Sequence, residues 1–408
     1  MPRFGRRLRL AFVTLAVAVV LVGAAGYAVV RFGPLGGVVE LFADGRRSEA
    51  FRSLHERLPA RSVAAGGTVW TFERDERPLP ERFAFDGEER SLAGFLEASE
   101  TTGLLVARDG VILHEAYAQG YDERSLATSF SLAKSVVGAL VGIALERGTV
   151  RSLDDPIDAY VSELGAGGYA GVRVGDLLSM SSCVAWDEAY AGSGSDVMRL
   201  PLRLFGLRQS VVGVLRAVGR ACERGSAFRY ASSDALALGL VLARANGTSP
   251  AALLEEAIWR PAGMEAAAAW NTDLYGQELT HAFLGATLRD YARFGRLYLH
   301  GGSRDGVQIV PADWVAASLR PTWNPSDGPT EGFGAGLGYG ALWWLPDGGE
   351  GEFLAMGIWG QFLYVHPGRR IIVVKTSTDP GFATRGPETL AAFRAVARAW
   401  GDDPANVP

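Results

Sequence analysis

Lysine is almost absent from this 408-residue chain: of its 40 Lys and Arg residues, only Lys134 and Lys375 are lysine. Arginine stays protonated, whereas a buried lysine can lose its proton and act as a base. Those two positions are therefore the first candidates for proton chemistry. An excess of positive charge is also missing. The formal net charge is −5, and no basic patch lies beyond the first few residues, so nothing in the charge pattern favours nucleic acid as a partner. The five histidines fall in no metal-ligand or triad spacing, and no G-x-S-x-G elbow is present; they read as structural or surface residues, with no metal implied. Internal repeats and low-complexity tracts are lacking. Cysteine is confined to Cys183 and Cys222. In an exported chain such a pair is a disulfide candidate closing a loop of about 40 residues; two buried free thiols are the alternative.

One long hydrophobic run is present, at the N-terminus. Arg3, Arg6, Arg7 and Arg9 precede an uncharged stretch from Leu10 to Val30, closed by Arg31. At helical rise this stretch spans roughly 30 Å, enough to cross a bilayer. It is longer than the usual apolar core of a cleaved signal. Residues 1–33 are expected to be a membrane anchor through residues 10–30, with a cleaved signal as the alternative. The arginines before the span place the remainder outside the cytoplasm.

Residues 34–90 are rich in Arg, Glu, Pro and Gly with little periodicity, and read as an extended tether or arm. The folded body is expected over 91–408. Gly103 to Arg108 and Val111 to Ala118 are strand-like runs joined by Asp109-Gly110, a hairpin signal. An apolar helix follows from about Ser131 to Glu146, ended by Gly148. Helical patterns recur at 174–180, 212–218, 233–245, 251–258 and 288–299. Strand-like runs return at 339–344, 361–366 and 371–376, before a last helix over 387–400. Strands at both ends with helices between them predict an α+β fold: one antiparallel sheet assembled from both termini of the body, with flanking helices and an inserted helical lobe.

Ser131-Leu132-Ala133-Lys134 has the form S-x-x-K at the start of that first long helix. Residues i and i+3 lie on one helix face, so the amine can reach the hydroxyl. The helix N-terminus adds partial positive charge and free N–H groups beside a nucleophile. A serine needs such a base, and Lys134 is one of only two lysines available.

Ser131-x-x-Lys134 followed by Tyr230-Ala231-Ser232 resembles the S-x-x-K and Y-x-N/S pair of class C β-lactamases, penicillin-binding proteins and related esterases. The runs 129–135, 186–190, 228–234, 286–295 and 357–361 are similar to the 6-aminohexanoate-dimer hydrolase branch of that family, over about residues 92–400. The resemblance implies a β-lactamase/transpeptidase-like fold. It also implies an acyl-enzyme on Ser131, with Lys134 and Tyr230 handling protons and Ser232 orienting substrate or lysine. The backbone N–H groups of Ser131 and Ile358 would form the oxyanion hole, flanked by Gly357 and Trp359. Tyr190 falls where that branch carries a mobile lid tyrosine. Lys375-Thr376-Ser377 looks like the family's K-T-G, but too few elements follow it. The fitting position is Ala355-Met356-Gly357, so the family's cation is replaced by Ala355 and Lys375 becomes a strand-end surface residue. Without that cation the expected substrate is a small ester or amide, with no cofactor. A D,D-peptidase or β-lactamase, or a catalytically silent cell-wall-binding homologue, is the alternative.

Overall fold

The computed structural model describes residues 33–401, apart from 42, 44, 193, 328–333 and 349. The apolar run Leu10–Val30 lies outside the described residues. Among the described residues no helix is long and apolar enough to cross a membrane.

The central sheet has eight strands. In chain order they are β1 (Glu73–Arg74), β2 (Thr101–Arg108), β3 (Val111–Tyr117), β4 (Leu337–Tyr339), β5 (Trp344–Pro346), β6 (Phe353–Gly357), β7 (Gln361–His366) and β8 (Ile371–Ser377). In space they run β4-β5-β6-β7-β8-β2-β3-β1. The two ends of the body meet where β8 pairs antiparallel with β2, Ile371 opposite Arg108 and Lys375 opposite Leu104. Asp109-Gly110 forms the expected two-residue turn between Arg108 and Val111, and Asp109 takes the positive φ (50°) that this turn requires.

Both faces of the sheet are covered, which explains the near-continuous apolar runs of its strands. Alternate side chains of β7 point to opposite faces. Phe362 and Tyr364 each meet Phe393 of the C-terminal helix, with ring centroids 5.6 Å apart. Leu363 and Val365 face the helix Leu288–Leu299. Gly295 allows that helix to approach closely: a Cβ there would stand 2.8 Å from Leu363. The inserted lobe carries the helices α1 (Ala133–Glu146) and α2 (Ser232–Asn246), which pack on each other. α1 is buried along nearly its whole length, and α2 ends at Gly247 in the left-handed region (φ 63°).

Several expectations are corrected. The run 339–344 is two short strands, β4 and β5, because Leu342 turns at φ 64° and is held by tertiary bonds. Its N–H donates to Leu178 O (3.1 Å), and its carbonyl accepts from Ser135 Oγ (2.7 Å). The last helix starts at Phe382, so Pro387 lies inside it. Residues 34–63 are not an extended arm. They form helices Pro34–Leu41, Arg47–Arg52 and Leu54–Arg57, then a strand, Ala60–Val63, paired with Ala268–Asn271 in a second, four-stranded sheet. Phe51, Leu54 and Leu58 are buried against the body, and that apolar contact gives the segment its order. Lys375 is not a surface residue: it is 1% exposed, because β8 is an interior strand of a sheet covered on both sides. Burial pulls its amine down to about 7, against the charge of Asp379. The cysteines form a disulfide, Cys183–Cys222.

Candidate active site

The nucleophile candidate sits on a strained step. Ser131 lies in a 3-10 turn, Phe130–Leu132, that feeds directly into α1. Phe130, immediately before it, has φ 43°, a conformation costly for a bulky side chain. The neighbouring Ser129 clamps this step: its N–H donates to Leu284 O (2.8 Å) and its hydroxyl accepts from Leu284 N (3.0 Å). Gly357, at the end of β6, closes the other side. A Cβ on residue 357 would stand 2.3 Å from Ser129 O and 3.1 Å from Ser131 N, so only glycine lets the Gly357–Ile358 backbone reach the nucleophile.

Lys134 is 1% exposed and its Nζ meets three oxygens: Ser131 Oγ at 2.8 Å, His281 O at 2.8 Å and Ser232 Oγ at 3.3 Å. Burial brings its amine down to about 8, against the charges of Glu188 and Asp234. The hydrogen-bond directions specify more. A carbonyl can only accept, so one N–H goes to His281 O. The Ser232 hydroxyl donates to the Glu188 carboxylate (2.6 Å), which also can only accept, so Ser232 Oγ must accept from Lys134. A neutral amine has two N–H donors. Both are thereby committed, and its lone pair is left facing Ser131 Oγ.

Glu188 is the residue that the sequence reading missed. Its Oε2 accepts from the Trp186 indole (2.6 Å) and from Ser232 N–H (2.8 Å), and its Oε1 accepts from the Tyr190 and Ser232 hydroxyls (2.6 Å each). The signal lay inside the run 186–190, where Trp186, Glu188 and Tyr190 alternate. Nothing in that local pattern places it against Ser232, 44 residues later.

Tyr230 lies half-buried, stacked on Trp344 with ring centroids 5.4 Å apart, and Lys134 Nζ is 5.1 Å from its ring. Burial and the charge of Glu188 push its phenol above the usual value, while a hydrogen bond with Ser131 acts the other way. The Tyr190 hydroxyl donates to Glu188 Oε1 (2.6 Å), and burial together with the charge of Glu188 raises its phenol well above the usual value. The imidazole of His281 is held well below its ordinary value by burial and by Lys134, and only its carbonyl meets the amine. Behind Lys134, Asp234 accepts from Ser182 (2.7 Å) and Tyr169 (3.0 Å), and burial raises its carboxyl to about 8.

The structure thus brings together Ser131, Lys134, Ser232, Tyr230, Tyr190 and Gly357, with Ile358 on the wall of the adjoining cleft. Trp359 does not join them. Its φ is 63°, and its ring packs on Arg47, Phe51 and Phe382 instead. Ala355 is fully buried on β6. The disulfide ties the stretch leading to Glu188 and Tyr190 to the one leading to Tyr230, where Ala221 N–H also donates to Cys183 O (2.7 Å).

Comparison with known proteins bears on the family and the fold. The family described as Beta-lactamase matches residues 89–397. A 6-aminohexanoate-dimer hydrolase of Paenarthrobacter ureafaciens is 28% identical over 351 residues, covering 82% of this chain and 86% of that protein. A candidate 6-aminohexanoate-dimer hydrolase from Bacillus anthracis shares the fold, with TM-score 0.79, 23% identity, and 88% of this chain and 95% of that one covered. The octameric penicillin-binding protein homologue from Pyrococcus abyssi shares it less closely, with TM-score 0.55, 19% identity and 77% of each chain covered.

Proposed function

We propose, on the premise that the chain belongs to the beta-lactamase family, that it cleaves small amide or ester bonds through an acyl-enzyme on Ser131. The observation that carries this reading is the committed geometry of Lys134. Once the amine has lost its proton, its two remaining N–H donors go to His281 O and Ser232 Oγ, and its lone pair faces the Ser131 hydroxyl. Tyr230 keeps its proton at rest because burial and Glu188 raise its phenol, which leaves Lys134 as the base.

Lys134 takes the Ser131 proton as Oγ bonds to the carbonyl carbon, and the oxyanion is met by the backbone N–H groups of Ser131 and Ile358. Losing one such donor typically costs about 10²–10³ in turnover. As the C–N or C–O bond breaks, Tyr230 gives its phenolic proton to the departing amine or alcohol and regains one from Lys134. Water then attacks the acyl-serine, passing its proton to the same pair. The acid leaves and Ser131 recovers its proton. The sum is amide or ester plus water to acid plus amine or alcohol.

The curated relative is named for a dimer of 6-aminohexanoate, an amide, which supports amide as well as ester cleavage. Ala355, apolar and buried where the family's cation would stand, argues against carboxylate-bearing lactams and cell-wall peptides. The Arg-flanked run 10–30 supports an enzyme anchored in the membrane with its body outside the cytoplasm, and fractionation of cells with protease applied from outside tests it.

The catalytic reading is tested by incubating the protein with a fluorophosphonate and mapping the peptides by mass spectrometry. A single adduct on Ser131, lost in Ser131→Ala, is the expected result. A folded protein without an adduct overturns the reading in favour of a silent binding homologue.

A further inference from the structure

The cleft beside Ser131 is closed by a part of the chain outside the expected catalytic body. At its base stand Ser131, Tyr190, Ser232 and His281; beyond them every lining side chain is apolar, among them Val38, Met198, Leu204, Phe205 and Phe283. The cleft's interior is narrow, with about 50 Å³ open to the centres of water-sized molecules. Among the described residues no Asp, Glu, Lys or Arg lines it.

Val38 comes from the helix Pro34–Leu41, which packs against the turn Leu202–Gly206 on the cleft's far wall. It is 5% exposed, so its side chain is committed inward. The segment that follows is fastened to the same site. Arg57 bonds with Glu40 of that helix and with Glu49 (2.9 Å). Arg47 donates to Thr378 O (3.1 Å) and lies 4.6 Å over the Trp359 ring, next to the Ile358 backbone. Phe51 meets the ring of Phe130, the strained residue before the nucleophile, at 4.9 Å.

We infer that residues 34–58 are a structural part of the substrate site, and that the cleft they complete binds an uncharged aliphatic acyl chain. This rests on the acyl-enzyme reading above. An apolar cleft rewards each methylene removed from water. A charged group at the chain's end has no partner on these walls and keeps its desolvation penalty. The preferred acyl donor is therefore a straight-chain fatty ester or amide, rather than one whose acyl chain ends in an amine or a carboxylate.

The test measures kcat/KM of the full chain on a series of 4-nitrophenyl esters from acetyl to decanoyl, together with the 6-aminohexanoyl ester. The expected result is a rise of about fourfold per methylene until the cleft is filled, with the 6-aminohexanoyl ester at least about tenfold below the hexanoyl. A flat or falling series, or preference for the amino-ended chain, overturns the inference. Ser131-dependent acetyl turnover in the same experiment leaves the hydrolase reading standing, whereas no turnover and no fluorophosphonate adduct removes both. Val38→Trp should lower the hexanoyl-to-acetyl ratio by about tenfold or more, since its ring must enter the cleft. Val38→Ala, which cannot clash, should move the optimum to a longer chain. If neither variant moves the ratio or the optimum, the helix is no part of the site.

Discussion

Replacing Glu188 by Gln tests whether this carboxylate sets the state of the base. Both Glu188 and Lys134 contact Ser232 Oγ, at 2.6 and 3.3 Å, so carboxylate oxygen and amine are no more than about 6 Å apart. At an effective dielectric of about 20, a charge pair at that distance is worth about 3 kcal/mol, or roughly two pH units. Glu188 is half-buried, and screening by solvent reduces this to about one unit or somewhat more. The sign follows from the charge. The carboxylate favours the ammonium, so removing it lets Lys134 lose its proton at lower pH. The amide fits in one orientation. Its oxygen accepts from Trp186 and Ser232 N–H, which cannot reverse, while its NH₂ donates to the Tyr190 and Ser232 hydroxyls, which can rotate.

The acid limb of kcat/KM for 4-nitrophenyl acetate should thus stand near 8 in the native protein, where Lys134 titrates. In Glu188→Gln it should move down by one to two units. The plateau should fall about tenfold as Ser232 loses a charge-assisted acceptor. Glu188→Asp keeps the charge, so its limb should stay close to 8 while its plateau falls. Circular dichroism shows whether the fold is kept. A limb in Glu188→Gln that stays in place, or moves to higher pH, would refute the electrostatic link between Glu188 and Lys134.

Lys134→Arg should abolish turnover while leaving thermal unfolding near that of the native protein, because a guanidinium keeps its proton; retention of more than about a tenth of kcat/KM removes Lys134 from the proton chemistry. Lys375→Met should stabilise the protein. The folded-state value of about 7 lies below the ordinary 10.5, so the folded state binds fewer protons in that window and stability rises with pH across it. The gain, on the order of 2–4 kcal/mol, is greatest below pH 7 and fades above about 10.5; denaturant unfolding at both ends of the window checks it, and a loss of stability below pH 7 contradicts it. Replacing Cys183 and Cys222 by Ser should cost about 4 kcal/mol by loop closure over a separation of 39 residues. Because the bridge joins the Glu188 and Tyr230 stretches, activity should be lost at lower denaturant concentration than secondary structure. Coincident transitions would show that the bridge supports only the fold.

The sheet shared by both ends of the body, the hairpin at Asp109-Gly110, the helix behind Ser131 and the pairing of Ser131 with Lys134 were all legible in the sequence. Each depends on short-range rules: short apolar runs of strand-forming residues, a turn needing positive φ, and i to i+3 proximity on a helix. Scarcity of lysine added a chemical reason to look at Lys134, but it marked Lys375 equally. Only the sheet order made Lys375 an interior residue away from the nucleophile. Only the tertiary structure brought Glu188 to Ser232, aimed the carbonyl of His281 at the amine, and laid residues 34–58 over the cleft. Those contacts join segments tens or hundreds of residues apart through irregular loops and isolated side chains. No periodic pattern encodes such a path, because its course is chosen by how the apolar faces pack together and not by the local backbone.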